Sequence, residues 1–154
     1  AAAGGFTRVL LAAGAQRVYA VDAGHGQLLG SLRQDPRVVN LEATNLGDLD
    51  GERVPEAVGV VTLDLSYLSV SDAVGQLAAV GLAPGADLIA LVKPMFELRR
   101  ATAPTDRSSL DEALDRAAAG ITAAGWTVLA SMDSPVTGSR GAPELLLHAK
   151  RRTA

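Results

Sequence analysis

Two runs, Val58-Gly59-Val60-Val61-Thr62-Leu63-Asp64 and Asp87-Leu88-Ile89-Ala90-Leu91-Val92-Lys93, decide the fold. Each is an apolar stretch of strand length, and each ends on a charged residue. Between them, Val70–Val80 carries apolar residues at helical spacing. A strand, a helix and a second strand in this order form the unit of a parallel sheet. The runs are apolar on both faces, as strands covered by helices on two sides must be.

The same alternation extends in both directions. Strands are expected at Arg17–Asp22, Val38–Glu42, Val58–Asp64, Asp87–Val92, Trp126–Met132 and Leu145–Lys150, with helices at Phe6–Ala13, Gly26–Arg33, Val70–Val80 and Ser109–Ala124. The last helix is the clearest. Ser108 or Ser109 can cap it, Asp111 and Glu112 fill its first turn, Leu110, Leu114, Ala117, Ala118 and Ile121 form its apolar stripe, and Gly125 ends it. The fold class is therefore α/β, a doubly wound, mostly parallel sheet with helices on both faces. One part is missing from the pattern: Ala1-Ala2-Ala3-Gly4-Gly5-Phe6-Thr7 reads as a glycine loop entering a helix, and three alanines cannot supply the central strand that should precede it.

Composition narrows the function. The 154 residues carry 14 Lys+Arg against 17 Asp+Glu, and aromatic residues make up 3%. A net charge of −3 argues against gripping nucleic acid by charge alone, and so few aromatics cannot build a stacking platform for single strands. With no cysteine there is no disulfide scaffold, thiolate nucleophile or Cys-ligated metal, and no metal site is expected. No apolar run approaches the roughly 20 residues that cross a bilayer, and no basic leader precedes an apolar core. A cytoplasmic, membrane-free domain is expected.

In doubly wound sheets ligands bind at the carboxyl ends of the strands, and the polar residues fall there: Asp22, Glu42, Asp64 and Lys93 each follow an apolar run. Gly4-Gly5 before a helix lets a backbone approach a ligand closely. Asp22, at the end of the next strand, can accept both hydroxyls of a ribose; as a purely structural residue it would serve the turn before Gly24. Together they point to a nucleoside cofactor, either NAD or S-adenosylmethionine, and the lack of a clean GxGxxG disfavours NAD. Pro94 stops its strand and presents Lys93 at the tip, beside Asp64 on the neighbouring strand. Glu144, before Leu145-Leu146-Leu147, is taken singly an ordinary strand-flanking acid.

Four ordered motifs, Tyr19-Ala20-Val21-Asp22-Ala23-Gly24-His25-Gly26-Gln27-Leu28, Leu32-Arg33-Gln34-Asp35-Pro36-Arg37-Val38, Asp64-Leu65-Ser66-Tyr67-Leu68-Ser69 and Leu91-Val92-Lys93-Pro94-Met95-Phe96-Glu97, resemble the TlyA, or hemolysin A-like, group of FtsJ-type methyltransferases, and Gly4-Gly5-Phe6-Thr7 matches the tail of that family's opening motif. The resemblance runs over nearly the whole chain. It implies a Rossmann-like methyltransferase fold, S-adenosylmethionine as cofactor, and 2′-O-methylation of ribose in ribosomal RNA, so that ribosomal RNA or a ribosomal subunit is the expected partner. Of the family's Lys-Asp-Lys-Glu tetrad, Asp64 matches the aspartate, Lys93 the second lysine and Glu144 the glutamate. The first lysine has no counterpart here. The cofactor is expected on Gly4, Gly5, Phe6, Thr7, Asp22, His25, Asn45 and Asp64, with Glu42-Ala43-Thr44-Asn45 beside the adenine. Residues 1–154 are expected to be one such domain, N-terminally incomplete, with the family's S4 RNA-binding domain lying upstream. Arg99, Arg100, Arg107 and Arg140 are expected near the strand ends, where RNA phosphates would pass. Three rivals stand beside this expectation: a hemolysin-like lytic protein, a non-catalytic relative that keeps only the fold, and a nicotinamide-dependent oxidoreductase.

Overall fold

The computed structural model describes residues 4–66 and 68–153. The expectation about Ala1–Ala3 lies outside the described residues, as do Tyr67 and Ala154. The chain divides into two compact units, Ala1–Glu56 and Ala57–Ala154.

The first unit holds α1 (Gly5–Ala12), β1 (Val18–Val21), α2 (Gly30–Arg33), β2 (Val38–Leu41) and a 3-10 turn at Leu46–Asp48. β1 and β2 pair in parallel, with Val18 opposite Val38 and Val21 opposite Leu41. Leu11 of α1, Val18 and Ala20 of β1, Leu28 of the loop before α2 and Leu32 of α2 form its core, with Val38 of β2 packed against it. Gly4 caps α1 with φ +101°, and a Cβ there would run into Leu28 and Leu32. A glycine is needed at this position for both reasons. The helix expected over Gly26–Arg33 begins only at Gly30. Gly26 has φ +72°, and Leu29 is extended, so the chain turns before it coils.

The second unit holds β3 (Val58–Leu63), α3 (Val70–Gly75), β4 (Leu82–Val92), α4 (Pro94–Glu97), α5 (Arg107–Ala123), β5 (Trp126–Asp133) and β6 (Leu145–Arg151). The sheet order is β3-β4-β6-β5. β3 and β4 are parallel as expected, but β6 runs antiparallel to both β4 and β5, so this sheet is mixed. Along β4, Ala86, Leu88, Ala90 and Val92 are buried in alternation. They form the core with Trp126, Ile121, Leu145 and Leu147, which are almost fully enclosed.

Three local expectations change. α3 ends at Gly75 rather than Val80, its last bonds tightening to the i→i−3 pattern at Gln76 and Leu77. α5 begins earlier, at Arg107, and its cap is Asp106, whose carboxylate accepts the Ser109 N–H at 3.0 Å. Neither Ser108 nor Ser109 is the cap; Ser109 is buried and its hydroxyl accepts from Arg100 at 2.8 Å. β5 is an edge strand open to solvent after Trp126, with Leu129 53% and Met132 56% exposed. α5 lies close to α3, and Gly120 permits this: a Cβ at that position would sit 2.7 Å from Ser71 Cα.

Candidate active site

Two groups of functional residues form, one in each unit. In the first, β1 ends at Val21 and Asp22 follows. The backbone of Asp22 is held by β2: its N–H donates to Leu41 O at 3.0 Å, and its carbonyl accepts from Thr44 N at 2.9 Å. Its Oδ1 accepts the Gly24 N–H at 2.9 Å, so Asp22 does serve a turn as well. Asp22, Gly24, His25, Leu28, Asn40 and Glu42 line a small cavity at the carboxyl ends of β1 and β2. Leu28 also lies against Gly4 at the start of α1, so the glycine loop and the Asp22 loop share a neighbour. Glu42 pairs with Arg33 and accepts from Asn40 Nδ2 at 2.7 Å. The Asn40 bond, more than the nearby charges of Arg33 and His25, holds the Glu42 carboxyl below its ordinary range.

Of the residues expected to carry a cofactor, Asp22 and His25 thus share this cavity, and Gly4 adjoins its Leu28 wall. Gly5 is exposed, Phe6 is half-buried and Thr7 is buried at the start of α1. Asn45 is exposed, one residue beyond the Thr44 that bonds Asp22, and it accepts Asp48 N–H at the 3-10 turn. Asn40, inside β2, was missed. Alternation along the strand was the available signal, since it puts residues 40 and 42 on one face.

In the second unit, Asp64 follows β3 and Lys93 follows β4. Because the two strands are parallel, with Leu63 opposite Ala90, their carboxyl ends emerge side by side. Lys93 is the extended cap residue of α4, and Pro94 occupies the first helical turn, where its missing N–H costs nothing. Lys93 Nζ lies 2.8 Å from Asp64 Oδ1; the lysine side chain is only 18% exposed, the aspartate 48%. Glu144 joins them from β6. Val92 pairs with Leu145 across the antiparallel ladder, which brings Glu144 to the edge where Lys93 leaves β4. Burial raises the Glu144 carboxyl above its usual range, opposed by the Lys93 charge and reinforced by Asp64. All three residues expected to be catalytic therefore converge. A Cβ at Gly138 would overlap the Glu144 carboxylate, so a glycine leaves that carboxylate its room.

A fourth acid was missed. Glu97 is buried, 5% exposed, and its carboxylate accepts the Val70 N–H and the Ser71 hydroxyl, the latter at 2.9 Å. Desolvation raises its pKa, against the bonds it receives. The arginines divide. Arg107 binds Asp111 and both oxygens of Asp133, and Arg100 binds Ser109 and faces Glu112, so these two are engaged within the unit. Arg99, 80% exposed, stands 3.7 Å from Asp72, and Arg140 is exposed with φ +57°. Among the described residues, no helix is long and apolar enough to cross a membrane, and no three His, Asp or Glu side chains are grouped to hold a metal.

The FtsJ-like methyltransferase family profile matches residues 1–151. The 16S/23S rRNA (cytidine-2'-O)-methyltransferase TlyA of Mycobacterium tuberculosis is 39% identical over 99% of this chain and 59% of its own length. A structure described as that of a candidate hemolysin from Streptococcus thermophilus superposes with a TM-score of 0.91 at 33% identity, covering 99% of this chain and 57% of that one. The 1,6-didemethyltoxoflavin-N1-methyltransferase of Burkholderia thailandensis shares the fold at 20% identity and a TM-score of 0.65, over 99% of this chain and 69% of the other. The chain thus spans somewhat more than half the length of the first two relatives. The Rossmann-like α/β fold expected from the sequence is the fold found, and nothing among the relatives favours an oxidoreductase. With its strand-end acids, its Lys-Pro turn and a profile match from one end to the other, the chain belongs to the FtsJ-like methyltransferase family.

Proposed function

We propose that this chain is the catalytic part of an S-adenosylmethionine-dependent methyltransferase that modifies ribose 2′-hydroxyls of ribosomal RNA in the cytoplasm. The observation that carries the proposal is the Lys93–Asp64 pair at 2.8 Å with Glu144 beside it, built by three strands at one sheet edge. The relatives point the same way, since one of them is named for this chemistry on rRNA. One continuous domain with an RNA-binding module upstream remains part of the proposal, and it accounts for an acidic chain acting on a polyanion.

The donor set around Asp22 fits such a cofactor. Carboxylates at the ends of β1 and β2 and the Asn40 amide oxygen are acceptors matched to the hydroxyls of a ribose. Gly4, Gly5, Phe6, Thr7, Asp22, His25 and Asn45 would hold it. When bound, S-adenosylmethionine supplies an electrophilic methyl on a sulfonium. The chain's own residues have the remaining task. A ribose hydroxyl is a poor nucleophile and needs a base or a strong hydrogen-bond partner at its oxygen. Asp64 fixes the direction of Lys93 Nζ, and that nitrogen would take up the hydroxyl proton as the oxygen attacks the methyl and the thioether leaves. Asp64 holds the lysine by its ion pair, with Glu144 close enough to feel both charges, so the nucleophile is positioned rather than searched for. Because Lys93 is only 18% exposed, bulk water competes little for those contacts.

The test uses the full-length protein with radiolabelled S-adenosylmethionine and either naked rRNA or ribosomal subunits. The wild type should incorporate label at a ribose 2′-oxygen, mapped by primer-extension stops. Lys93→Ala should lower the rate by about 10²–10⁴-fold. Calorimetry should detect S-adenosylmethionine binding and no NADH binding; the reverse result ends this proposal.

A further inference from the structure

Glu97 is the buried charge that the mechanism above leaves without a task. It lies one turn beyond Lys93, and its main chain is tied back to that residue: the Glu97 N–H donates to Lys93 O at 3.1 Å, beside the Phe96 N–H at 3.0 Å. Its side chain reaches in the other direction. The carboxylate accepts from Val70 N and from Ser71 Oγ, in the first turn of α3. That turn is where the loop leaving Asp64 ends. A single residue thus joins the two loops that carry the ion pair, by its backbone at one and its carboxylate at the other.

The receiving end is itself fixed. Ser69 caps α3, its Oγ accepting the Asp72 N–H at 3.1 Å. Ser71 is pressed against Gly120 of α5, and its hydroxyl also lies 3.1 Å from Arg116 O. A buried carboxylate is costly unless its oxygens are bonded, and here both are, one to the Val70 N–H and the other to the Ser71 hydroxyl. A glutamine of the same shape has one acceptor oxygen and an NH2 group that cannot accept.

We infer that Glu97 is a positioning residue that sets the Asp64–Lys93 pair in its reactive geometry by bracing the loop after β3 against the turn after β4. It touches neither substrate nor cofactor, and the inference rests on the methyltransferase function proposed above. A loosened brace leaves the strands and both ligand sites intact while the pair drifts. Drift of about 1 Å at reacting groups is worth about 100-fold in rate.

The experiment compares Glu97→Gln, Asp64→Asn and the double variant in the full-length protein, by single-turnover methyl transfer and by NMR of the Lys93 side chain. Glu97→Gln should lose about 10- to 100-fold in kcat with KM for RNA and cofactor held within about 2-fold. Its Lys93 Cε resonance should move toward the position seen in Asp64→Asn, and the double variant should be no slower than Asp64→Asn alone. A merely structural glutamate would cost stability, leave kcat per folded molecule unchanged and leave the Lys93 resonance in place; that result overturns the inference, as do losses that multiply in the double variant. Should Glu97→Gln not fold, Ser71→Ala removes one donor from the same carboxylate and should show the same pattern with a smaller loss, about 3-fold. If the wild type transfers no methyl group, the proposed function fails, and the Lys93 resonance still decides the brace on its own.

Discussion

Gly138→Ala separates catalysis from stability. Gly138 has φ −82° and ψ −160°, an extended conformation open to any residue, so its glycine is not required by the backbone. It is required by Glu144. An added Cβ would fall 2.7 Å from the Glu144 Cδ and 3.2 Å from Oε1, with Oε2 nearer still. Restoring ordinary contact displaces the carboxylate by about 1 Å from its present place near Lys93 and Asp64. Because the obstacle is the end of a flexible side chain, the fold yields easily. Replacing glycine by alanine at a permitted conformation stabilises by about 0.4–1 kcal/mol through the unfolded chain. The expected result is an unchanged or slightly raised urea midpoint together with a loss of about 100-fold in methyl transfer. Two backgrounds sharpen the assay. In Glu144→Ala the added methyl should have no further effect, and in Glu144→Asp, one methylene shorter, much of the Gly138→Ala loss should disappear. A Gly138→Ala enzyme of wild-type kcat would refute the reasoning, since Glu144 would then tolerate displacement.

Other perturbations test the scaffold and its charges. Gly120→Ala places a methyl 2.7 Å from the Ser71 backbone, which cannot retreat as a side chain can. Overpacking of about 1–3 kcal/mol, less the gain of about 1 kcal/mol for alanine in a helix, should lower the urea midpoint. Leu88→Ala, at a fully enclosed position in β4, should cost about 2–5 kcal/mol in the same measurement. Asp87 bonds His148 Nε2 at 2.9 Å, and this bond first, then Lys150, holds its carboxyl below the ordinary range. A lowered carboxyl binds its proton less tightly in the native than in the unfolded chain, so its stabilisation is present above pH 3.8 and lost as pH falls further. Asp87→Asn should therefore shrink the drop in urea midpoint between pH 5 and pH 3; an identical drop would dismiss the pair as a source of stability.

Why some of this was legible before the structure, and some not, has a physical basis in each case. Asp64 and Lys93 could be found because parallel strands deliver their carboxyl ends to one edge, and a proline marks where β4 stops. Glu97 stood in plain view in the same motif, but its partners are 26 and 27 residues away, and burial of a carboxylate leaves no trace in local pattern. Asp106, Ser108 and Ser109 are all competent caps. The choice among them was settled by tertiary structure, which buries Ser109 under Arg100. The start of β4 was hidden for the opposite reason. Pro84-Gly85 is a strong turn signal, and Gly85 does adopt φ +68°, yet Leu82 still pairs with Val58 across a register shift, so the strand continues through an irregularity that sequence rules treat as an end.

Glu144 shows a deeper version of the same point. The rule that placed Asp22, Glu42, Asp64 and Lys93 looks for polar residues after strands, where a parallel sheet binds its ligands. Glu144 precedes its strand. In an all-parallel sheet it would emerge at the far edge, a strand's length from Lys93, and could not have joined the pair. It does so because β6 runs antiparallel between β4 and β5, so that its amino end meets the carboxyl ends of its neighbours, with Leu145 opposite both Val92 and Asp133. The reversed strand is therefore what brings Glu144 to the edge shared by Asp64 and Lys93. The same reversal returns the chain through the Ser134–Glu144 loop, whose neck is closed by Ser134 N–H to Glu144 O at 2.8 Å and whose Gly138 N–H bonds Ala142 O at 2.8 Å. That closure brings Gly138 up against the very carboxylate that the reversal has delivered, which is why one glycine in a loop can govern the geometry of the site.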